Sequence, residues 1–98
     1  MMTLVIYDIS DDDIRKSVEK VCKNYGLRHI QRSAFIGLLS RGDRYSLYKE
    51  LKRLLWEEKG SIRIYVMNRR LYNMRMSVGV LEGFDDDPEY DEEVYIRP

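Results

Sequence analysis

The run Leu4-Val5-Ile6-Tyr7-Asp8-Ile9-Ser10 near the N-terminus constrains this chain more than any other stretch. It is apolar at both parities, which suits a strand covered on both faces in the middle of a sheet. Asp11-Asp12-Asp13 follows at once and reads as a helix start. Asp8 interrupts the strand material, since aspartate is a poor strand former. The end of a rigid central strand is where a scaffold best presents a catalytic or metal-binding group. Asp8 is therefore the candidate site residue; its plainer reading is a turn aspartate before a helix.

The rest of the chain predicts few elements. Ile14, Val18, Val21, Cys22 and Tyr25 share one face of a helix over residues 11–25, capped by Ser10 or Asp11 and stopped at Gly26. Residues 27–39 form a long β-like segment. Arg32 breaks the parity of Ile30, Ala34, Ile36 and Leu38, which predicts a bulge or bend near Arg32-Ser33. A second helix is expected from a cap at Asp43 to about residue 59, with Leu47, Tyr48, Leu51, Leu54 and Leu55 as its stripe. Residues 61–67 alternate as a strand, Asn68-Arg69-Arg70 reads as a basic turn, and Met74, Met76, Val78 and Val80 predict a fourth strand.

The predicted fold class is α+β, a ferredoxin-like β-α-β-β-α-β sandwich over residues 1–84. Residues 85–98 are expected to be an acidic linker around Pro88, followed by an extra C-terminal strand at Val94-Tyr95-Ile96, exchanged or docked in a dimer. The first and third strands are expected to be parallel and central, with both helices on one face. Tyr7, Arg63, Tyr65 and Met67 are expected to line the other face. That set is too apolar for water, and a second copy packed face to face would cover it.

Composition bounds the function. The chain has 98 residues, enough for one domain, and no apolar run approaches the roughly 20 residues of a membrane span. Cys22 is the only cysteine, and the N-terminal residues carry no basic, signal-like segment, so a cytoplasmic protein is expected. The formal net charge of zero hides an asymmetry. Residues 1–84 hold 16 Lys+Arg and 10 Asp+Glu, a net of +6; residues 85–98 hold one Arg and 7 acids, a net of −6.

Asp8 is the sole acid outside helix starts, helix surfaces, turns and tail. One carboxylate is a thin site for Mg²⁺ or another divalent cation, which keeps several waters and takes one or two carboxylates plus phosphate. A two-fold dimer pairing two Asp8 side chains would remedy this. A calcium loop fits poorly: Asp8, Ser10, Asp12 and Glu19 fall at the ligand positions, but Asp13 stands where glycine is needed. His29, the only histidine, has no partner set as a general base; zinc-type Cys/His spacing and a glycine-rich phosphate loop are both missing. Arg28, Arg32, Arg41 and Arg44 flank Phe35, and Arg69, Arg70 and Arg75 cluster further on. On a body of net +6 they point to binding of a nucleic-acid phosphate backbone.

Residues 4–12, the segment Tyr25-Gly26-Leu27-Arg28-His29-Ile30-Gln31-Arg32-Ser33-Ala34-Phe35 with Gly37, and Ser61-Ile62-Arg63-Ile64-Tyr65 together resemble the second CRISPR-associated protein family. That family is the small dimeric partner of the CRISPR adaptation integrase. The resemblance implies a homodimer with sheets face to face and a C-terminal strand that joins the partner's sheet. It implies metal-dependent phosphodiesterase activity with Asp8 as catalytic and metal-binding residue. Arg28, Arg32, Ser33 and Phe35 match the family's second-strand motif. It also implies a role as scaffold for a short DNA duplex between integrase subunits, which needs no nuclease. A non-catalytic DNA-binding adaptor and a toxin-like ribonuclease of the same fold stay open beside the enzyme. One departure is that the basic residues at the first helix start are reduced to Arg15 and Lys16.

Overall fold

Alternation along β1 (Met2–Asp8) decides which way each side chain of the central strand points. Val5 and Tyr7, with Ile9 beyond the strand, enter one core. They pack there against Val18 and Cys22 of α1 (Asp12–Asn24), Phe35 of β3 (Ala34–Leu38) and Leu47 and Leu51 of α2 (Arg41–Leu55). Each fully buried Phe, Leu or Val contributes about 1.5–3 kcal/mol to folding. Met2, Leu4, Ile6 and Asp8 point to the opposite face. The computed structural model describes residues 1–86.

The elements run β1, α1, β2 (Arg28–Gln31), β3, α2, β4 (Ser61–Met67) and a short α3 (Arg69–Asn73). The sheet order is β2-β3-β1-β4, with helices α1 and α2 on one face. This is the expected ferredoxin-like arrangement, with one correction to strand direction. β1 is antiparallel to β3, with Leu4 opposite Ile36, and antiparallel to β4, with Leu4 opposite Tyr65. The crossover through α1 makes β2 run with β1, and a tight reversal then sends β3 back between them.

That reversal is a hairpin turn at Arg32-Ser33, where a bulge or bend in one long β-like segment was expected. Its backbone is held from outside: the Arg32 carbonyl stands 3.1 Å from the Tyr7 hydroxyl and 3.2 Å from His29 Nε2. Asp11 caps α1 by accepting from the Ile14 N–H at 2.9 Å. Ser40, and not Asp43, caps α2, its hydroxyl accepting from the Asp43 N–H at 3.1 Å. The helix ends at Leu55, short of the expected residue 59.

The far face differs most from expectation. Arg63, Tyr65 and Met67 lie on it, but Tyr7 does not; it is 2% exposed within the helix-side core. The expected basic turn is α3, which Asn68 caps by accepting from the Leu71 N–H at 2.8 Å. α3 lays Tyr72 over Met2, Ile36, Leu4, Ile30 and Met67, and so covers one half of this face. The strand expected through Met74, Met76, Val78 and Val80 does not form. The cap at Asn68 turns the chain away from the sheet, and these side chains remain exposed. The expected strand at Val94-Tyr95-Ile96 lies outside the described residues.

Candidate active site

Asp8 closes β1 on the half of the far face that α3 leaves uncovered. Its side chain is exposed, but its backbone is fixed on both sides. Asp8 pairs with Ser61 on β4, and the Tyr7 N–H donates to the Ser33 carbonyl at 3.1 Å on the β3 side. By strand register Ile6 lies opposite Arg63 and Leu4 opposite Tyr65, so these residues pave the surface leading up to Asp8. Arg63 Nη1 is 3.5 Å from the Tyr65 hydroxyl, and Ile6 and Tyr65 are each about two-fifths exposed.

On the opposite face, directly behind Asp8, Tyr7 anchors a polar cluster. Its hydroxyl donates to Glu19 at 2.7 Å and lies 3.4 Å from His29 Nε2. With the single phenol proton given to Glu19, a proton on His29 Nε2 is the donor shared by the Arg32 carbonyl and the Tyr7 oxygen. The His29 ring stacks on Phe35 at 4.2 Å, and Phe84 meets it edge-on at 4.8 Å. Burial, followed by the Glu19 carboxylate, pushes the Tyr7 phenol above its ordinary range. His29 is thus bound into the packing that supports the end of β1 and has no free path to the Asp8 face. Asp85 is also docked here: its N–H donates to the His29 carbonyl (2.8 Å) and its carboxylate accepts from the His29 N–H (2.9 Å).

The other expected site residues scatter. Arg28 lies opposite Ile36, itself opposite Leu4, so it shares the Asp8 face but stands about 13 Å away along the strand direction. Arg32 is exposed at the hairpin turn, beside Ser33; Phe35 is wholly buried and serves the core. Arg69 and Arg70 open α3 just beyond Met67, which pairs with Met2 at the opposite end of β1, about 20 Å from Asp8, and Arg75 follows α3. Arg75 stacks on the Tyr72 ring at 3.9 Å. Sequence reasoning placed Arg63 only as a lining residue. Its parity with Asp8 across β4 was the signal that it belongs beside the carboxylate.

No group of three or more His, Cys, Asp or Glu side chains comes together among the described residues. At the end of β1 the chain therefore offers one carboxylate in open water. That donor set fits a largely hydrated Mg²⁺, which needs only one or two carboxylates, and does not fit an all-protein cage.

Comparison with known proteins gives a consistent result. A family model described as CRISPR associated protein Cas2 matches residues 1–75. A Chloroflexus aurantiacus protein named CRISPR-associated endoribonuclease Cas2 2 is 37% identical over 87 residues, 89% of this chain and 99% of that one. A Thermoproteus tenax protein named CRISPR-associated endonuclease Cas1/endonuclease Cas2 fusion is 31% identical over 78 residues, 80% of this chain but 30% of its own length. The crystal structure of Streptococcus pyogenes Cas2 at pH 6.5 superposes with a TM-score of 0.70 at 25% identity, covering 81% of this chain and all of that one. No described helix is long and apolar enough to cross a membrane.

Proposed function

Because the chain belongs to the Cas2 family of CRISPR-associated proteins, we propose that it hydrolyses phosphodiester bonds of RNA or DNA at Asp8, as a homodimeric subunit of the CRISPR adaptation machinery. The observation that carries this reading is the exposed Asp8 carboxylate, fixed by β3 and β4 on the uncovered half of the sheet. Two copies meeting there would bury Ile6 and Tyr65 and bring two Asp8 carboxylates to one axis. Mg²⁺ or another divalent cation held between them would supply a water of lowered pKa and offset phosphate charge. Asp8 would hold that cation, and Arg63, which strand register places near it, would stabilise the negative charge that develops on phosphorus-bound oxygens.

The relatives' names support nuclease activity, and the fused relative supports a Cas1-type integrase as partner. With Asp85 held on this chain's own His29, the acidic segment after it would cross to the second copy and add Val94-Tyr95-Ile96 to its sheet edge. A reduced, cytoplasmic setting agrees with Cys22 being buried and unpaired. A non-catalytic DNA-binding adaptor is the second reading, favoured by the single carboxylate per protomer.

Asp8→Asn separates the two. It keeps shape and removes charge, so Mg²⁺-dependent cleavage should fall at least about 100-fold, the scale of losing a charge-stabilising group. Folding and dimerisation, followed by circular dichroism and sedimentation, should be unchanged. Wild-type protein that cuts neither RNA nor DNA with any divalent metal would leave the adaptor. A wild-type monomer in sedimentation would remove the shared metal centre.

A further inference from the structure

The outer face of α2 carries an aromatic and cationic stripe that the site at Asp8 does not use. Tyr45, Tyr48, Lys49, Lys52, Arg53 and Trp56 line one shallow depression of about 350 Å³. Helical spacing explains the grouping, since residues three and four apart are neighbours on a helix surface. The Tyr45 and Tyr48 rings lie 6.2 Å apart at 30°. Lys49 Nζ sits 5.2 Å from the Tyr45 ring centre and Lys52 Nζ 5.9 Å from that of Tyr48. Tyr45 and Tyr48 are 60% and 45% exposed, and Trp56 is 73% exposed. A core-facing stripe would be hidden; this one is presented to water.

Two further observations mark the face. Trp56, at the helix end, has φ +28°, a conformation that bulky L-residues avoid unless the surroundings hold them in it. No carboxylate lies among the residues lining the depression, and Glu50, on the same helix, is engaged by the Tyr25 hydroxyl. At the other end of the helix, Arg44 Nη1 is buried without a hydrogen-bond partner among the described residues. The depression therefore offers flat rings interleaved with cations, and no carboxylate lines it.

We propose that the outer face of α2 is a docking surface for single-stranded nucleic acid, with bases stacked on Tyr45, Tyr48 and Trp56 and phosphates held by Lys49, Lys52 and Arg53. Stacking platforms of this kind need unpaired bases, because a duplex hides its base faces. From Tyr45 to Trp56 the helix runs about 16 Å, room for a few nucleotides. The Trp56 end lies toward Asp8: β4 begins at Ser61, soon after Trp56, and Ser61 pairs with Asp8. A strand tracking the helix is thus led to the end of the sheet where Asp8 stands. The inference rests on the nucleic-acid reading of the function, but it requires neither metal nor Asp8.

Trp56 is the only tryptophan in the chain, so its fluorescence reports on this face alone. The full chain would be titrated in EDTA with single-stranded DNA and RNA oligonucleotides, with the same sequence as a duplex, with polyphosphate, and with an acidic peptide matching residues 87–98. Saturable quenching by the single strands only is expected, with a log–log salt slope of about −0.7 per phosphate neutralised. Tyr48→Leu, which keeps an apolar side chain and removes the ring, should weaken binding about 10-fold. Lys52→Glu should weaken it and make the slope shallower. Because the titration is made in EDTA, without the divalent cation that cleavage needs, failure of the nuclease reading leaves this result standing. Equal quenching by duplex or polyphosphate would overturn the stacking claim, and a response to the acidic peptide without one to oligonucleotides would make the face a protein-docking surface.

Discussion

Gly60 tests the idea that the position of Asp8 is fixed by its backbone. It precedes β4 with φ +135°, a region open essentially to glycine alone. A Cβ placed there would come within 2.8 Å of the Asp8 carbonyl oxygen and 3.3 Å of Ile9 Cγ1. Gly26, after α1, is the natural control: its φ is +82°, and an added Cβ meets nothing within 4 Å. Gly26→Ala therefore carries conformational strain only, about 1 kcal/mol. Gly60→Ala adds an overlap with backbone that the Asp8–Ser61 pairing keeps from yielding, at the cost of about 1–3 kcal/mol more.

The expected difference between the two variants is about 2 kcal/mol. In urea this separates their midpoints by about 1 M at a slope near 2 kcal/mol/M. In a thermal scan it separates them by roughly 10 °C for a chain of this size. Circular dichroism is the better probe, since Trp56 is already exposed in the folded state. At low temperature, where both variants are folded, cleavage should drop for Gly60→Ala and persist for Gly26→Ala. Equal destabilisation by the two substitutions would refute the contact. Full cleavage by folded Gly60→Ala would refute the claim that the site depends on where the strand end lies.

Two other outcomes follow from burial and from charge. Burial, helped by Glu19, pushes the Cys22 thiol from 9.0 up to about 12, and Tyr7 is also raised; both keep their protons in the folded chain where the unfolded chain releases them. Stability should therefore be complete below about pH 9 and fall as pH rises toward 12, by up to about 1.4 kcal/mol per pH unit for each group. Cys22→Ala should flatten the decline between pH 9 and 10, whatever it does to baseline stability; an unchanged slope in urea titrations would contradict this. If the arginines of α3 hold a duplex backbone, Arg70→Glu should make the log–log salt slope of binding shallower by about 0.9 for each phosphate left without its cation, and an identical slope would exclude Arg70 from the interface.

What the sequence revealed depended on whether local residues or distant ones decided the outcome. β1 and α1 were legible because alternation, the Asp11 cap and Gly26 are local signals. The hairpin was not, because Arg32-Ser33 contains neither Gly nor Asn; its carbonyl is held by Tyr7 and His29, far away in the chain. The side taken by Tyr7 was equally hidden. β1 is apolar at both parities, and only Glu19 and Phe35, arriving from other elements, draw the ring to the helix side. At residues 74–80 alternation was present but misleading, since the cap at Asn68 had already diverted the chain. Asp8 stands exposed at the end of β1, whereas the arginines expected to bind a phosphate backbone lie along the whole sheet.

That dispersal bears on the two readings of the function. A catalytic residue and its phosphate clamps ordinarily lie within a few ångströms, because stabilising charge acts at the reacting atoms. Here Arg69 and Arg70 lie next to the Met2–Met67 pair, about 20 Å from Asp8 at the other end of β1. Those arginines are too far away to stabilise a transition state at Asp8, and act, if at all, on phosphates several residues along the same nucleic acid. Arg63 is the one cation that strand register places beside the carboxylate. Cleavage and backbone binding should then separate by mutation. Arg63→Ala is expected to lower the cleavage rate with little change in affinity for nucleic acid, whereas Arg70→Glu lowers affinity and leaves the rate at saturating substrate nearly intact. Parallel loss of both quantities in both variants, in steady-state assays with saturating substrate, would mean that the two ends form one site and that a second copy folds them together.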